Sequence, residues 1–396
     1  MKYAIVISDG MADLPQDQLD GKTPVEAAST PNSDLVARSG SLGTARTVPE
    51  GFEPGSDVAT LCLLGYDPKK YYTGRAPLEA ANLGLELGPD DWAFRCNLVT
   101  VNDDTLEDFS AGHVSNDEAR SLMAALHAEL ADAVISFHSG KSYRNIMLYR
   151  GDADMSAYCV PPHDIMGMSV SAHLPAGKGS DVIIKIMEDS RHILSRHDVN
   201  LRRLSLKKPP ANMAWLWGQG KRPSIPTFRD RYGISSGAVI TAVDLLRGLG
   251  KYLGWEIVEV PGATGYFDTD YEAKGRYAIE ALKDHDIVLV HVEAPDEAAH
   301  QGNVAEKIRA IENVDRHVLG PILSELKRYG EYRLLYMPDH YTVIQKKTHS
   351  DEPVPFAICG TGIDNSSNLA FSESNAAATG LSFIEGHELM EYFLRG

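Results

Sequence analysis

Short apolar runs alternate with helical patterns in the second half of the chain, and this alternation restricts the folds that the sequence can adopt. Strands are predicted at 213–217, 238–240, 256–260, 286–291 and 332–337, with helices at 241–253, 271–283 and 304–329. Regular alternation of this kind is typical of a doubly wound, mostly parallel sheet with helices on both faces. The predicted fold class is therefore α/β.

The middle of the chain has a different pattern, which indicates a second domain. Strands are predicted at 92–101 and 142–149 and helices at 117–130 and 181–195, followed by a Lys-Lys-Pro-Pro linker at 207–210. At 396 residues the chain is also too long for one ordinary compact domain. We predict a core at 1–70 and 212–396 and a smaller α+β domain inserted at 71–211, with boundaries good to about 15 residues.

Composition excludes several classes of function. The formal net charge of −17 argues against a nucleic-acid partner, because binding to phosphate backbones requires a basic surface. No segment approaches the roughly 20 apolar residues of a membrane helix, and the first apolar run is too short for a secretion signal. The four cysteines are widely separated and are expected to be reduced and buried. We therefore predict a cytoplasmic protein without a membrane partner.

Asp9 follows a further predicted strand, the apolar run Tyr-Ala-Ile-Val-Ile at 3–7. In open α/β sheets, ligands bind beyond the carboxyl ends of the strands, so a carboxylate at this point is well placed for chemistry. The alternative is that Asp9 only opens a turn before Gly10.

Ser56 lies between a loop rich in Gly and Pro and a predicted apolar helix at 58–64. The free N–H groups and the dipole at a helix N-terminus favour negative charge, such as a serine alkoxide or a phosphoryl group. Ser56 is therefore a candidate nucleophile, although a serine before a helix also serves simply as its N-cap.

Asp296 and His300 are four residues apart on a helix that is predicted to start near Pro295, directly after a strand. Side chains at this spacing project from one face of a helix and are able to hold a metal ion together. Taken alone, such a pair is also common on solvated helix surfaces.

Three further polar residues lie at or beyond strand ends, namely Asp339 and His340 after the strand 332–337, and His349 in the following loop. One edge of the predicted sheet then carries three aspartates, three histidines and a serine. This set suits two sites for Mn²⁺, Zn²⁺, Co²⁺ or Mg²⁺. Pairs of such ions are common in phosphoryl transfer.

A series of motifs resembles the cofactor-independent phosphoglycerate mutases of the archaeal type, within the alkaline phosphatase superfamily, over essentially the whole chain. The motifs are Ile-Ser-Asp-Gly at 7–10, Ser-Asp at 56–57, Tyr-Thr-Gly-Arg at 72–75, Trp-Leu-Trp-Gly-Gln-Gly at 215–220, Val-Pro-Gly-Ala-Thr-Gly-Tyr at 260–266, the stretch 291–300, Pro-Asp-His at 338–340 and Thr-His at 348–349.

The resemblance implies an isomerase that interconverts 3-phosphoglycerate and 2-phosphoglycerate without a bisphosphoglycerate cofactor. It implies two metal sites and a phosphoserine formed on Ser56. The first site would consist of Asp296, His300 and His349, and the second of Asp9, Asp339, His340 and the Ser56 oxygen. The chain departs from the family pattern at Ala299, where Gly is usual, and at Tyr341, where Pro is usual; Tyr341 is bulky enough to narrow the metal pocket.

The resemblance also nominates substrate-binding residues, and for each of them a structural role is an open alternative. They are His113, Arg144 and Asp164 in the insert and Lys274 in the core, with Arg75 and Arg247 in reserve. Arg and Lys suit a phosphate and a carboxylate, and His or Asp suits proton transfer at the glycerate hydroxyl.

Two other functions stay open at this point. The same metal ligands would serve a phosphatase or phosphonate hydrolase, in which water accepts the phosphoryl group. A non-catalytic protein that binds phosphoesters is the second alternative. The sequence defines neither the metal nor the oligomeric state.

Overall fold

The computed structural model describes residues 1–364 and 367–396, which form two compact units. The core unit consists of residues 1–72 and 225–396, and the inserted unit of residues 73–224. No helix within the described part of the chain is long and apolar enough to cross a bilayer.

The strands are β1 Lys2–Ser8, β2 Gly40–Ala45, β3 Trp92–Asn102, β4 Thr105–Asp108, β5 Ile135–Lys141, β6 Arg144–Tyr149, β7 Met213–Lys221, β8 Gly237–Ile240, β9 Glu256–Ile257, β10 Ile287–Val292, β11 Tyr332–Met337, β12 Tyr341–Val343, β13 Thr348–Ser350, β14 Val354–Gly360 and β15 Ser382–Phe383.

The helices are α1 Pro24–Ala27, α2 Pro31–Arg38, α3 Ser56–Leu63, α4 Pro68–Tyr71, α5 Arg75–Asn82, α6 Asn116–Leu130, α7 Ser180–Leu194, α8 Asp198–Ser205, α9 Phe228–Tyr232, α10 Asp244–Tyr252, α11 Tyr271–Asp284, α12 Ala294–His300, α13 Val304–Val314, α14 Gly320–Leu326, α15 Glu373–Ala378 and α16 Leu389–Arg395. A π-helical segment, Asp315–Leu319, joins α13 to α14.

The core unit is built on a sheet with the strand order β15-β2-β14-β11-β1-β10-β8-β9. Strand β1 lies between β11 and β10 and is parallel to both. Its side chains alternate between two apolar clusters, with Ala4 and Val6 in one and Ile5 and Ile7 in the other, because successive residues of a strand point to opposite faces. The predicted α/β fold with a doubly wound, mostly parallel sheet is confirmed.

Strands β2 and β14 were not predicted from the sequence, and both pair antiparallel within this sheet. The β2 sequence, Gly-Ser-Leu-Gly-Thr-Ala, contains two glycines, which have low strand propensity. Close packing explains them: a Cβ atom added at Gly40 would lie 2.0 Å from the Ile358 carbonyl oxygen. Packing against β14 therefore determines this strand, and its own sequence gives little indication of it.

The inserted unit contains an antiparallel sheet around β3, which pairs with β6, β7 and β4. Its apolar core is formed by this sheet together with α6 and α7. Strand β7 was predicted as part of the core domain, but it pairs with β3 over Trp92–Val99 and belongs to the insert. The second boundary of the insert falls at Ser224, after the predicted position of 211 and within the predicted margin of about 15 residues.

The cysteines are free, as predicted, and Cys62, Cys96 and Cys359 are buried, whereas Cys159 is only half-buried. Burial raises the pKa of the Cys62 and Cys96 thiols to about 12. These thiols therefore stay protonated and serve as packing groups.

Glu373 is a buried acid that joins α15 to the segment after β1. Its carboxylate accepts hydrogen bonds from the Asp13 backbone N–H at 3.2 Å and from the Thr23 hydroxyl at 2.8 Å. Burial is the main effect and raises the pKa of Glu373 to about 7. Because the folded state holds this proton more tightly than the unfolded chain, the group's contribution to stability is complete below the ordinary glutamate pKa and is lost as pH rises through about 7.

We expect Glu373→Gln to flatten the pH dependence of the free energy of unfolding between the ordinary glutamate pKa and neutral pH. Relative to this variant, the wild type should lose roughly 3 kcal/mol of stability across the window, because the amide has no proton to lose. Denaturant unfolding at a series of pH values measures the difference. The exposed Glu331→Gln is the matched control, and parallel curves for wild type and Glu373→Gln would contradict the expectation.

Candidate active site

The carboxyl edge of the core sheet gathers the polar residues that follow its central strands. Asp9 comes directly after β1, Asp339 and His340 come after β11, and Asp296 lies in the first turn of α12 after β10. The parallel registers of β1 with β10 and β11 place these three strand ends side by side. The edge is therefore the point where chemistry is expected in an open α/β sheet.

Asp296, His300 and His349 form a first group, here called the first triad. Both imidazoles approach the carboxylate, with His300 Nε2 3.2 Å from Asp296 Oδ2 and His349 Nε2 3.3 Å from Asp296 Oδ1. The two Nε2 atoms are 3.0 Å apart. Helix α12 supplies the first two residues from one face, as their spacing predicted, and β13 supplies the third.

Asp9, Asp339 and His340 form the second triad, which is entirely buried. The His340 Nε2 atom lies 3.6 Å from Asp9 Oδ1 and 3.5 Å from Asp339 Oδ2. The Ser56 hydroxyl oxygen lies 3.2 Å from the same nitrogen. Ser56 is the first residue of α3, whose N-cap is Gly55, so the structure places the serine beside the triad and not in the N-cap position.

The ring orientation of the histidines leaves each Nε2 atom facing its triad. The Nδ1 atom of His300 lies 3.0 Å from the Lys347 carbonyl oxygen, and that of His349 lies 3.2 Å from the Pro54 carbonyl oxygen. Because a carbonyl only accepts hydrogen bonds, each Nδ1 carries a proton, and Nε2 is the ring atom left to offer a lone pair to a cation once it is deprotonated. Metal-binding histidines are oriented in this way.

Crowding of acidic groups makes the second triad favourable for a cation. Burial is the largest effect on Asp9, and with the charges of Asp339 and Asp296 it raises the pKa of Asp9 well above its usual range. Burial lowers the pKa of His340 to about 4, so this imidazole is neutral. Within the described residues, Asp9 Oδ1 and Asp339 Oδ2 are buried without a hydrogen-bond partner. A divalent ion would supply that partner, and the oxygen and nitrogen donors fit it.

The first triad contains two imidazoles and one carboxylate, whereas the second contains one imidazole and two carboxylates. Burial lowers the pKa of His300, but its hydrogen bond with Asp296 and the charge of that carboxylate outweigh burial and raise the pKa to about 9. Burial also disfavours the charged form of Asp296, but the two imidazoles hold the pKa of this carboxyl well below its usual range. A divalent cation would replace the shared proton between these groups.

A buried ionic chain supports the second triad, and its members were not predicted to have this role. His291, the fifth residue of β10, places Nε2 3.3 Å from Asp9 Oδ2 and Nδ1 3.3 Å from Glu293 Oε1. Lys274 Nζ donates to Glu293 Oε2 at 2.7 Å and to the His291 carbonyl oxygen at 3.0 Å. The only sequence signal was a histidine and a glutamate at the end of an apolar strand.

Lys274 was predicted as a substrate-binding residue, and this geometry argues against direct contact. Its side chain is fully buried, and its ammonium is engaged by Glu293 and by the strand backbone. Burying a charged group is costly unless the group is paired, and the ion pair with Glu293 supplies that compensation. Lys274 therefore has a structural role as the partner of Glu293. The reserve candidate Arg247 pairs with Glu259.

The other predicted substrate residues lie in the inserted unit, around a group of aromatic rings. The His113 ring is 6.1 Å from that of Tyr143, and the Arg144 guanidinium is 5.6 Å from the same ring. Asp164 Oδ1 is 3.7 Å from His163 Nε2, and the His163 ring is joined to that of Tyr143 through Phe109, at 6.1 Å and 5.6 Å. The structure therefore brings these residues into one region of the insert.

Two further arginines extend this region. The Arg95 and Arg75 guanidinium groups lie 4.5 Å and 6.0 Å from the Trp217 ring. Burial is the main effect that lowers the pKa of Arg95, and the positive charges of Arg75 and Arg144 lower it further, whereas Glu79 opposes them. Arginines crowded in this way favour an anion nearby.

Relatives named as phosphoglycerate mutases match this chain over its whole length. A family model described as 2,3-bisphosphoglycerate-independent phosphoglycerate mutase matches residues 37–200. The 2,3-bisphosphoglycerate-independent phosphoglycerate mutase 2 of Methanothermobacter thermautotrophicus is 53% identical over 395 residues, which cover 100% of this chain and 97% of the relative. The chain belongs to this family of mutases. The family predicted from the motifs is confirmed, and with it the enzyme class, an isomerase.

Solved structures agree with this assignment. A protein from Pyrococcus horikoshii is 30% identical, with a TM-score of 0.84 over 99% of this chain and 96% of the other. The cofactor-independent phosphoglycerate mutase from Thermoplasma acidophilum is 28% identical, with a TM-score of 0.68 over 100% of this chain and 99% of the other.

Ala299 and Tyr341, the two residues that differ from the phosphoglycerate mutase pattern, both lie in apolar clusters. Ala299 is fully buried and packs with Val304 and Ile344. The Tyr341 ring belongs to an apolar cluster of the core unit together with Val343, and the Thr342 side chain between them pairs with His340. Apolar packing therefore accounts for both side chains.

Proposed function

We propose that this phosphoglycerate mutase interconverts 3-phosphoglycerate and 2-phosphoglycerate, with Ser56 carrying the phosphoryl group between them. The observation that carries the proposal is the position of the Ser56 hydroxyl, 3.2 Å from His340 Nε2 beside the second triad. The serine also begins α3, where free backbone N–H groups favour an incoming phosphoryl group.

Two divalent cations are proposed to complete the site. Asp296, His300 and His349 would hold one, and Asp9, Asp339, His340 and the Ser56 oxygen would hold the other; Mn²⁺, Zn²⁺, Co²⁺ and Mg²⁺ all accept such ligands. When bound, the cations supply positive charge for the phosphoryl oxygens and lower the pKa of the serine hydroxyl. No bisphosphoglycerate is needed, because the serine itself accepts the phosphoryl group.

In the proposed reaction the Ser56 hydroxyl gives up its proton and its Oγ attacks the phosphorus atom of one phosphoglycerate. The bond from phosphorus to the glycerate oxygen breaks, and that oxygen keeps the electron pair and takes up a proton. The other glycerate hydroxyl then loses its proton and attacks the phosphoserine, which returns Ser56 to its starting state. The overall change is isomerisation, with no net gain or loss of water.

The region around Tyr143 in the inserted unit is proposed to bind the glycerate part of the substrate. Arg144 offers a planar guanidinium to a carboxylate or phosphate, and Arg95 and Arg75 add positive charge nearby. His113 and Asp164 are proposed to exchange protons with the glycerate hydroxyls. The free thiols of the chain support a reducing, cytoplasmic compartment for this reaction.

An assay coupled to enolase tests the proposal. Purified protein supplied with Mn²⁺ and 3-phosphoglycerate is expected to form 2-phosphoglycerate and to release no free phosphate above the rate of the blank. Release of phosphate in place of the isomer would assign the chain to hydrolysis, and absence of both products together with absence of bound metal would indicate a non-catalytic protein. Either result would overturn the proposal.

A further inference from the structure

Thr342 lies between the two triads and contacts both of them. It is the central residue of β12, it is fully buried, and its hydroxyl oxygen lies 2.5 Å from Asp296 Oδ1 and 3.2 Å from His340 Nδ1. One side chain thus joins a ligand of the first triad to a ligand of the second.

The direction of these two hydrogen bonds follows from the chemistry of the three groups. An ionised carboxylate only accepts, so the single hydroxyl proton of Thr342 is donated to Asp296. The hydroxyl oxygen then accepts from the His340 Nδ1–H, which leaves the lone pair of Nε2 directed at Asp9, Asp339 and Ser56. Thr342 therefore sets the tautomer of one ligand and the orientation of another.

The surroundings hold the Thr342 hydroxyl in place. The backbone N–H of Thr342 donates to the Ala12 carbonyl at 3.2 Å, and the Thr342 carbonyl accepts from Lys307 Nζ at 2.8 Å. Gly10 packs directly against it, because a Cβ atom added there would lie 2.3 Å from the hydroxyl oxygen and 2.7 Å from Asp296 Oδ1. With a φ of +57°, this glycine is also in the left-handed region.

We propose that Thr342 is a positioning residue that couples the two metal sites, so that loss of its hydroxyl weakens metal binding at both. The inference rests on the proposed two-metal function. Residues that orient metal ligands commonly affect affinity by factors of about 10–100, although they do not touch the ion.

Calorimetric titration of the metal-free protein with Mn²⁺ tests the coupling. Thr342→Val keeps the shape and removes the hydroxyl, and its affinity should fall by about 10–100-fold for both equivalents. Thr342→Ser restores the hydroxyl and should bind within a factor of about 3 of wild type. Thr60→Val is the matched control, because Thr60 is also buried in the core unit and its hydroxyl has no hydrogen-bond partner among the described residues.

Thermal unfolding separates positioning from simple destabilisation. The rise in melting temperature on adding Mn²⁺ should be smaller for Thr342→Val than for Thr60→Val, and Thr342→Ser should recover it. Wild-type affinity in Thr342→Val, or weakening of one equivalent alone, would overturn the coupling. Failure of the wild type itself to bind Mn²⁺ would overturn the proposed function and this inference with it.

Discussion

Replacing Ser56 with alanine is expected to abolish isomerisation, with a loss in kcat of roughly 10⁴-fold or more, because removal of a catalytic nucleophile has an effect of this size. The Ser56 hydroxyl is the only protein group in the proposed reaction that forms a covalent bond to phosphorus. The six side chains of the two triads stay in place, so the variant should still bind metal. Kinetics in the coupled assay and Mn²⁺ titration of the same preparation measure both properties.

Intact-protein mass spectrometry identifies the phosphoryl acceptor directly. After incubation with phosphoglycerate the wild type should carry a phosphate adduct, and Ser56→Ala should not. Ser324→Ala is the control, because Ser324 lies in α14 of the same unit and only donates to the Gly320 carbonyl. An adduct that persists in Ser56→Ala, or activity that is undiminished, would exclude Ser56 as the nucleophile.

The carboxyl ends of the strands were the part of the site that could be predicted from the sequence. Each apolar run such as 286–291 or 332–337 is short, buried on both faces and followed at once by polar residues, so local pattern alone indicates where its carboxyl end lies. Parallel pairing then brings Asp9, Asp296 and Asp339 to one edge without further information. The α/β fold class was predictable for the same reason.

The residues behind the ligands were not predictable, because their roles depend on contacts between distant parts of the chain. Lys274 was predicted to bind substrate, and only the structure shows that its ammonium pairs with Glu293 and the β10 backbone. Thr342 has no signal of its own beyond following His340 by two residues. The strand β2 is similar, since its glycines are explained only by the approach of β14. Local propensity carries no information about such neighbours.

Lys307 provides the strongest test of how the ligand loops are held together. Its ammonium is fully buried and donates to Asp13 Oδ2 at 2.8 Å, to the Thr342 carbonyl at 2.8 Å and to the Ala12 carbonyl at 3.3 Å. Burial lowers the pKa of Lys307, and the charge of Asp13 opposes that effect. One cation therefore fastens the segment after Asp9 to the strand after His340.

We expect Lys307→Met to lower the free energy of unfolding by about 3–5 kcal/mol, because it leaves the Asp13 carboxylate buried without its cation. Adding Asp13→Asn in the same chain should recover part of the loss, since the uncompensated charge is then absent. The surface pair offers a matched control: Lys283→Met removes an exposed partner of Glu280 and should change stability by less than about 1 kcal/mol.

Denaturant unfolding measures these free energies, and hydrogen exchange read by mass spectrometry shows where protection is lost. Exchange should increase in the segments that carry Asp9 and His340 and stay unchanged in the inserted unit, because the Lys307 ammonium donates its hydrogen bonds to residues of the core unit. Mn²⁺ affinity should fall in Lys307→Met together with stability, since the carbonyl of Thr342 loses its donor. A loss below about 1 kcal/mol, equal to that of Lys283→Met, would mean that the buried pair does not hold the two ligand segments together.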